Sequence, residues 1–300
     1  GKLKSSFVDA LPKKIRADTG RVHPDFKDTR TVTGRLACAD PNAQQIPSRT
    51  KEGKQVREAF EAEAGFSYVV CDESQIELRV AAHVTEDPVL VQAYVEDKDI
   101  HALTAANIGH IDLKDVTDEA RGVAKTANFL VVYGGKARRL AQQAKIDYED
   151  AMEFLLDHER TLERFYDWKD EAVIQAKKDG CVYTLFGRRV PLPHINSRNS
   201  ELRSHAERLA ISGIIQGSAA DLIRLAMVSV HKKCLDNPKW DARLILSVHD
   251  ELIVECRTEY AVECSKLMKS LMETAADHLV KWRVPIKSSS GIGPNWREAK

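Results

Sequence analysis

The chain has 300 residues, 43% hydrophobic and 30% charged, with 45 basic against 45 acidic side chains and a formal net charge of zero. This is a globular composition, long enough for a large core or two subdomains, and its overall charge excludes nucleic-acid binding by net charge alone. Six cysteines without a C-x-x-C pair exclude a disulfide or zinc framework and predict reduced core thiols, and neither a signal peptide nor an 18-residue apolar run is read, so a soluble, cytoplasmic protein is expected.

Residues 1–30 read as a polar, basic lead-in with Lys13, Lys14 and Arg16 close together. TVTGRLACADPNAQQIP, residues 31–47, is punctuated by Gly34, Pro41 and Pro47 and predicts loop and short extended pieces. FSYVVC, residues 66–71, predicts a short buried strand by length and β-branched content. The helical spacing of Ile76, Val80 and Val84 follows, so Asp72 stands at a strand-to-helix junction, where it is either a functional group or a helix cap.

Residues 99–109 predict a short helix closed by Gly109, and residues 117–135 a second one capped by Thr117 and ended by Gly134 and Gly135. Along the second helix Arg121, Lys125, Phe129 and Tyr133 recur every four residues. Such a stripe either grips a polyphosphate and stacks on a base or is an amphipathic face with core aromatics. Residues 148–179 predict one long helical region, and CVYTLFGRRVPLP a hairpin turning at Phe186-Gly187. Residues 200–236 predict a helix whose small residues Ser212, Gly213, Gly217, Ser218, Ala219 and Ala220 admit a close neighbour. LILSVHDELIVEC, residues 244–256, predicts a tight β-hairpin with Asp250 and Glu251 at its tip. A helix over about 258–282 and a final strand plus loop complete the chain.

Asp72 and Asp250 come from separate strands, and two such carboxylates can hold two divalent ions about 4 Å apart for in-line nucleotidyl transfer. With the cations of Arg121 and Lys125 to meet the developing charge, the residues point to a metal-dependent nucleotidyl transferase.

Three blocks resemble the motifs of family-A DNA polymerases, the class of bacterial DNA polymerase I: DESQIELR, RGVAKTANFLVVYGG and SVHDELIVE. Supporting blocks are TGRLACADPNAQQIP, DKDIHALTAANI, TLFGRRVPLP, QGSAADLIRLAM and NWREAK, all in the family's order. The resemblance implies an α+β right-hand polymerase core, with an antiparallel palm sheet and a helical fingers insertion. It implies residues 1–30 as a thumb remnant, 31–98 and 203–300 as palm and 99–202 as fingers, with the thumb largely missing.

The implied activity is template-directed DNA synthesis with Mg2+ (two ions, Mn2+ as a substitute), primer-template DNA and deoxynucleoside triphosphates. Asp72, Asp250 and the Glu73 carbonyl would hold metal, with Glu251 beside the primer end. Arg121 and Lys125 would bind triphosphate, Lys125 also as proton donor. Gln75 and His101 would line the nucleotide site. Glu77 would exclude a 2′-hydroxyl, Phe129 would sit beside the sugar and Tyr133 would stack at the insertion site. Arg35, Asn42, Gln45, Arg208, Gln216 and His249 would contact DNA.

Four residues depart from the family pattern: Glu73 for Tyr, Leu130 for Gly, Ser212 for Asn and Gln45 for Asn. The sequence leaves no room for a 3′–5′ exonuclease, so a fragment or split-polymerase subunit, acting with the remaining domains or a second subunit, is the alternative expectation. A single-subunit RNA polymerase is disfavoured by Glu77 and the V-H-D-E block.

Overall fold

A computed structural model describes residues 4–48 and 50–300, so the first three residues of the lead-in lie outside them. In chain order the elements are β1 (Asp25–Lys27), β2 (Ala37–Ala39), α1 (Lys51–Glu58), β3 (Phe66–Glu73), α2 (Ile76–Thr85), α3 (Pro88–Val95), α4 (Ile100–Gly109), α5 (Asp118–Val132) and α6 (Ala137–Ala144). Then come α7 (Tyr148–Thr161), α8 (Glu163–Asp179), β4 (Cys181–Tyr183), β5 (Arg189–Pro191), α9 (Ser200–Asp236), β6 (Arg243–Val248), β7 (Glu251–Arg257), α10 (Ala261–Thr274) and β8 (Ser288–Gly293). The chain divides into two compact units, residues 1–74 with 220–276 and 287–300, and residues 75–219 with 277–286.

The first unit is built on an antiparallel sheet in the order β6-β7-β3-β8. Its central strand β3 is an almost continuous apolar run because both faces are covered: Val69, Val70 and Cys71 are at most 2% exposed. Helix α10 packs on β3 and β8. Tyr68, Val70 and Ile253 join Phe7, Ile46 and Trp296 in a core cluster. Burial of each such large side chain stabilises by about 1.5–3 kcal/mol. The β6–β7 hairpin turns through His249, whose φ of 57° lies in the left-handed region.

The second unit holds α2 to α8, the β4–β5 hairpin and the start of α9, with α8 packed on β4. That hairpin explains the small residues of α9. A Cβ on Gly213 would lie 3.2 Å from Val190, and Ser218 Oγ accepts the Leu185 N–H at 2.9 Å. A protein element, not a ligand, fills the narrow face there.

Several expectations are corrected. The helical region over 148–179 is two helices parted at Leu162, whose φ and ψ of −116° and 48° are non-helical. The helix expected to reach 282 stops at Thr274 after a 3-10 turn over Thr258–Tyr260. Gly109 is still helical, and His110 supplies the left-handed cap at φ 50°. Helices α1, α3 and α6, of eight residues each, are not among the expected elements. Helix α9 is long and apolar enough to cross a membrane by length and composition alone, although polar residues such as Gln216, Asp221 and Arg224 interrupt it. Some 56% of that stretch is buried within the protein, as in a core helix.

Candidate active site

In the first unit the two predicted carboxylates arrive from neighbouring strands. Asp72 is next to last in β3 and pairs in register with Glu251, the first residue of β7. Asp250 occupies the turn just before, and its carbonyl accepts the Glu73 N–H at 3.0 Å. The sheet ladder therefore sets the two aspartates side by side. Both side chains are about a third exposed, at 36% and 30%.

Cations already face them. Lys300 Nζ lies 3.0 Å from Asp72 Oδ2 and also bonds Glu251, and an Arg35 nitrogen lies 3.5 Å from Asp250 Oδ1. Burial works against the Lys300 ammonium, but the Glu251 and Asp72 carboxylates more than offset it and hold its pKa above the ordinary lysine value. Among the described residues no group of three His, Cys, Asp or Glu side chains could enclose a metal ion. A pair of accessible hard-oxygen donors that attracts cations nonetheless fits a divalent ion whose remaining ligands come from substrate and water.

Glu251 and Glu73 differ from the aspartates. Glu251 is 2% exposed, accepts the Trp296 indole N–H at 2.8 Å and has Arg57 at 3.8 Å. Arg57 also stacks 4.1 Å over the Trp296 ring. Glu73 is 3% exposed and neither of its carboxylate oxygens has a hydrogen-bond partner. Burial first, then repulsion from Asp250 and Asp72, pushes its carboxyl well above the usual range.

In the second unit the α5 stripe lies away from the core. Ala124, Ala127, Asn128, Leu130 and Val131 are buried, while Arg121, Lys125, Phe129 and Tyr133 are part-exposed or exposed. A core stripe of aromatics is therefore not what the four-residue spacing encodes. Arg121 Nε donates to Asp99 Oδ2 at 2.7 Å, and Asp99 caps α4 through the His101 and Ala102 N–H groups. His101 is 1% exposed with its ring 5.7 Å from that of Phe129. Gln75 takes the left-handed conformation at the start of α2 and accepts the Tyr94 hydroxyl at 2.8 Å. Glu77, 3% exposed, accepts the Tyr133 hydroxyl. Leu130, which stands where the family pattern has Gly, is 4% exposed in a cluster with Ala127, Ala137, Leu140 and Ala151.

The residues expected to meet DNA are spread over both units. Arg35 and the exposed His249 line a small crevice with Gln44, Arg224 and Ser247 in the first. Asn42 caps a 3-10 turn by accepting the Gln44 N–H, and Gln45 beside it is exposed. In the second, Arg208 packs against Gly134 and donates to Ser204 at 2.8 Å, and Gln216 is half-buried on α9. Sequence reasoning assigned no role to Lys300, Trp296 and Arg57 around Glu251 or to Arg224 in the crevice. The contacts to Glu251 span 45 residues or more of chain, so local spacing does not reveal them.

Comparison with known proteins gives one answer. The chain is 42% identical to the thermostable DNA polymerase I of Thermus caldophilus over 299 residues, all of this chain and 35% of that protein. It is 40% identical to DNA polymerase I of Pseudomonas aeruginosa, over 99% of this chain and 32% of that protein. It therefore spans about a third of these relatives. Among solved structures it matches the POL domain of Pol1 from M. smegmatis, determined in complex with a DNA primer-template and dNTP. There the TM-score is 0.92 at 36% identity, covering 99% of this chain and 52% of that one. The family model for DNA polymerase family A matches residues 1–298, and the chain belongs to that family.

Proposed function

We propose that this chain carries the nucleotidyl-transfer site of a DNA-directed DNA polymerase, extending a primer 3′-hydroxyl with deoxynucleotides and releasing pyrophosphate. One observation carries the reading. The β3–β7 ladder sets Asp72 beside Asp250 as two accessible carboxylates, with Lys300 and Arg35 drawn to them. Two divalent cations, Mg2+ by its preference for hard oxygen ligands, would be held by Asp72, Asp250 and the Glu73 carbonyl, where they would lower the pKa of the attacking hydroxyl and neutralise the triphosphate.

The remaining steps fall to the protein. The guanidinium of Arg121 and the ammonium of Lys125 bind the triphosphate, and Lys125 supplies a proton to the departing pyrophosphate. Glu77 and Phe129 bound the sugar and leave no space for a 2′-hydroxyl, with Tyr133 stacking at the insertion site and Gln75 lining it. Arg35, Asn42, Gln45, Arg208, Gln216 and His249 hold primer and template through backbone and minor-groove edges. Residues 31–98 and 203–300 serve as palm and residues 99–202 as fingers. The structural relative's primer-template and dNTP support DNA and nucleotide as the partners.

Primer extension on a DNA template, with Asp72→Ala and Asp250→Ala beside the unaltered chain, tests this. Loss of a metal-holding carboxylate is expected to abolish extension, while primer-template binding persists. Extension by Asp250→Ala at the unaltered rate, or none by an unaltered chain that binds primer-template, overturns the proposal.

A further inference from the structure

Four polar side chains meet in the interior of the second unit: His101 and Thr104 on α4, Asn128 on α5 and His158 on α7, none more than 2% exposed. Tyr166 on α8 places its hydroxyl 3.1 Å from His158 Nδ1. His158 Nε2 is 2.8 Å from Asn128 Oδ1. Asn128 Nδ2 is 3.1 Å from both His101 Nδ1 and Thr104 Oγ1. Thr104 Oγ1 is 2.7 Å from the Ile100 carbonyl oxygen.

These contacts have a single consistent direction. The Ile100 carbonyl can only accept, so it takes the one proton of the Thr104 hydroxyl. Thr104 Oγ1 then offers Asn128 lone pairs alone, which turns the amide nitrogen, not the oxygen, toward it. The longer 3.4 Å approach of Thr104 Oγ1 to Asn128 Oδ1 gives way to this bond. The second hydrogen of the same nitrogen goes to His101 Nδ1, so that ring nitrogen carries no proton. At the other end the amide oxygen requires a donor, and His158 Nε2–H is the group within reach. His158 Nδ1 in turn accepts from Tyr166. Burial holds both rings neutral: His101 is lowered to about 4 and His158 to about 3. The single proton of His101 therefore sits on Nε2.

Every group in the relay is matched except that last one. His101 Nε2 is buried without a hydrogen-bond partner. An unmatched buried donor is costly and calls for an acceptor that the protein itself does not supply, such as a ligand, an ion or water. Asp99 favours a proton on His101 and Lys125 and Arg121 oppose it. Since those two cations are the triphosphate-binding pair of the nucleotide-site reading, the acceptor that suits this place is a phosphate oxygen. We infer that Asn128 and His158 are positioning residues that lock His101 as a neutral Nε2–H donor to a phosphate oxygen of the incoming nucleotide. The inference rests on the nucleotide-site reading above. It adds the donor form of His101 and the two residues that set it.

Long-range proton–nitrogen NMR of the histidine-labelled 300-residue chain reads the tautomer without any turnover. His101 is expected to show a protonated Nε2 and a bare Nδ1 from pH 6 to 8. In Asn128→Asp the carboxylate can only accept, so a proton appears on Nδ1. Binding of dATP with Mg2+ supplies the second readout. His158→Phe leaves the Asn128 amide oxygen without its donor and is expected to weaken dATP about tenfold, the worth of a hydrogen bond to a charged group. His158→Gln, whose amide N–H can replace Nε2–H, retains the affinity within about twofold. A packing role alone would affect both His158 variants alike, and that result overturns the inference. So does a wild-type His101 protonated on Nδ1 or on both nitrogens. A wild-type chain that binds no dATP overturns the nucleotide reading itself and removes phosphate as the acceptor. One that binds dATP with the wrong tautomer overturns the relay alone.

Discussion

At the scale of single residues, the hairpin tip separates two carboxylates that look alike in the sequence. Asp250 is accessible, whereas Glu251 is 2% exposed and bonded to the Trp296 indole and the Lys300 ammonium, with the Arg57 guanidinium close by. Burial lowers the Arg57 pKa, with Glu251 and then Asp72 opposing it. Removing Glu251 leaves Arg57 a buried cation without its main partner, a change that costs about 3–5 kcal/mol. Glu251→Ala is thus expected to lower stability by that order in urea denaturation, while its folded fraction still extends primers measurably at low temperature. Glu251→Gln keeps an acceptor for Trp296 and should lose less. Equal stability of the two variants would sink this account. That Glu251 is a structural hub could not be read from the sequence, because Trp296 and Arg57 lie 45 residues after it and 194 before it.

At the scale of elements, the sequence was legible where local chemistry decides and silent where packing does. The β6–β7 hairpin, β3, α5 with its Thr117 cap and the β4–β5 turn at Gly187 follow from alternation, capping residues and turn residues. The break at Leu162 has no glycine or proline to announce it. The second unit holds Phe165, next to that break, by bonding its N–H to Asp87 Oδ2 at 3.2 Å, a partner 78 residues away. The end of α5 combines both kinds of cause. Gly134 has φ 65°, and a Cβ there would lie 2.8 Å from Arg208 Cγ. Gly134→Ala is expected to cost about 1–2 kcal/mol from the left-handed backbone alone, and more from the displaced arginine. Stability unchanged in chemical denaturation would contradict this.

At the scale of the whole molecule, a formal net charge of zero conceals groups whose protonation folding has altered in opposite senses. His101 and His158 titrate in the fold at about 4 and about 3, below the ordinary histidine value of about 6.5. The unfolded chain therefore binds protons that the folded chain refuses. Their contribution is fully present above pH 6.5 and is lost as the pH falls toward those folded values, at about 1.4 kcal/mol per pH unit for each histidine. Glu73 acts the other way, since its raised pKa favours the fold in acid and is a liability at neutral pH. A bare acid-stability curve sums these effects, but a pair of curves separates them. His158 is fully buried, with the Lys169 ammonium as the charge that adds to its burial. Replacing it by Gln removes one refused proton and leaves Glu73 and His101 in place. Urea denaturation between pH 7 and pH 4 is expected to show the unaltered chain losing stability more steeply than His158→Gln below pH 6, by about 1.4 kcal/mol per pH unit. Parallel curves would mean that His158 is protonated in the fold, and the hydrogen bond it donates to Asn128 would then no longer report a neutral ring.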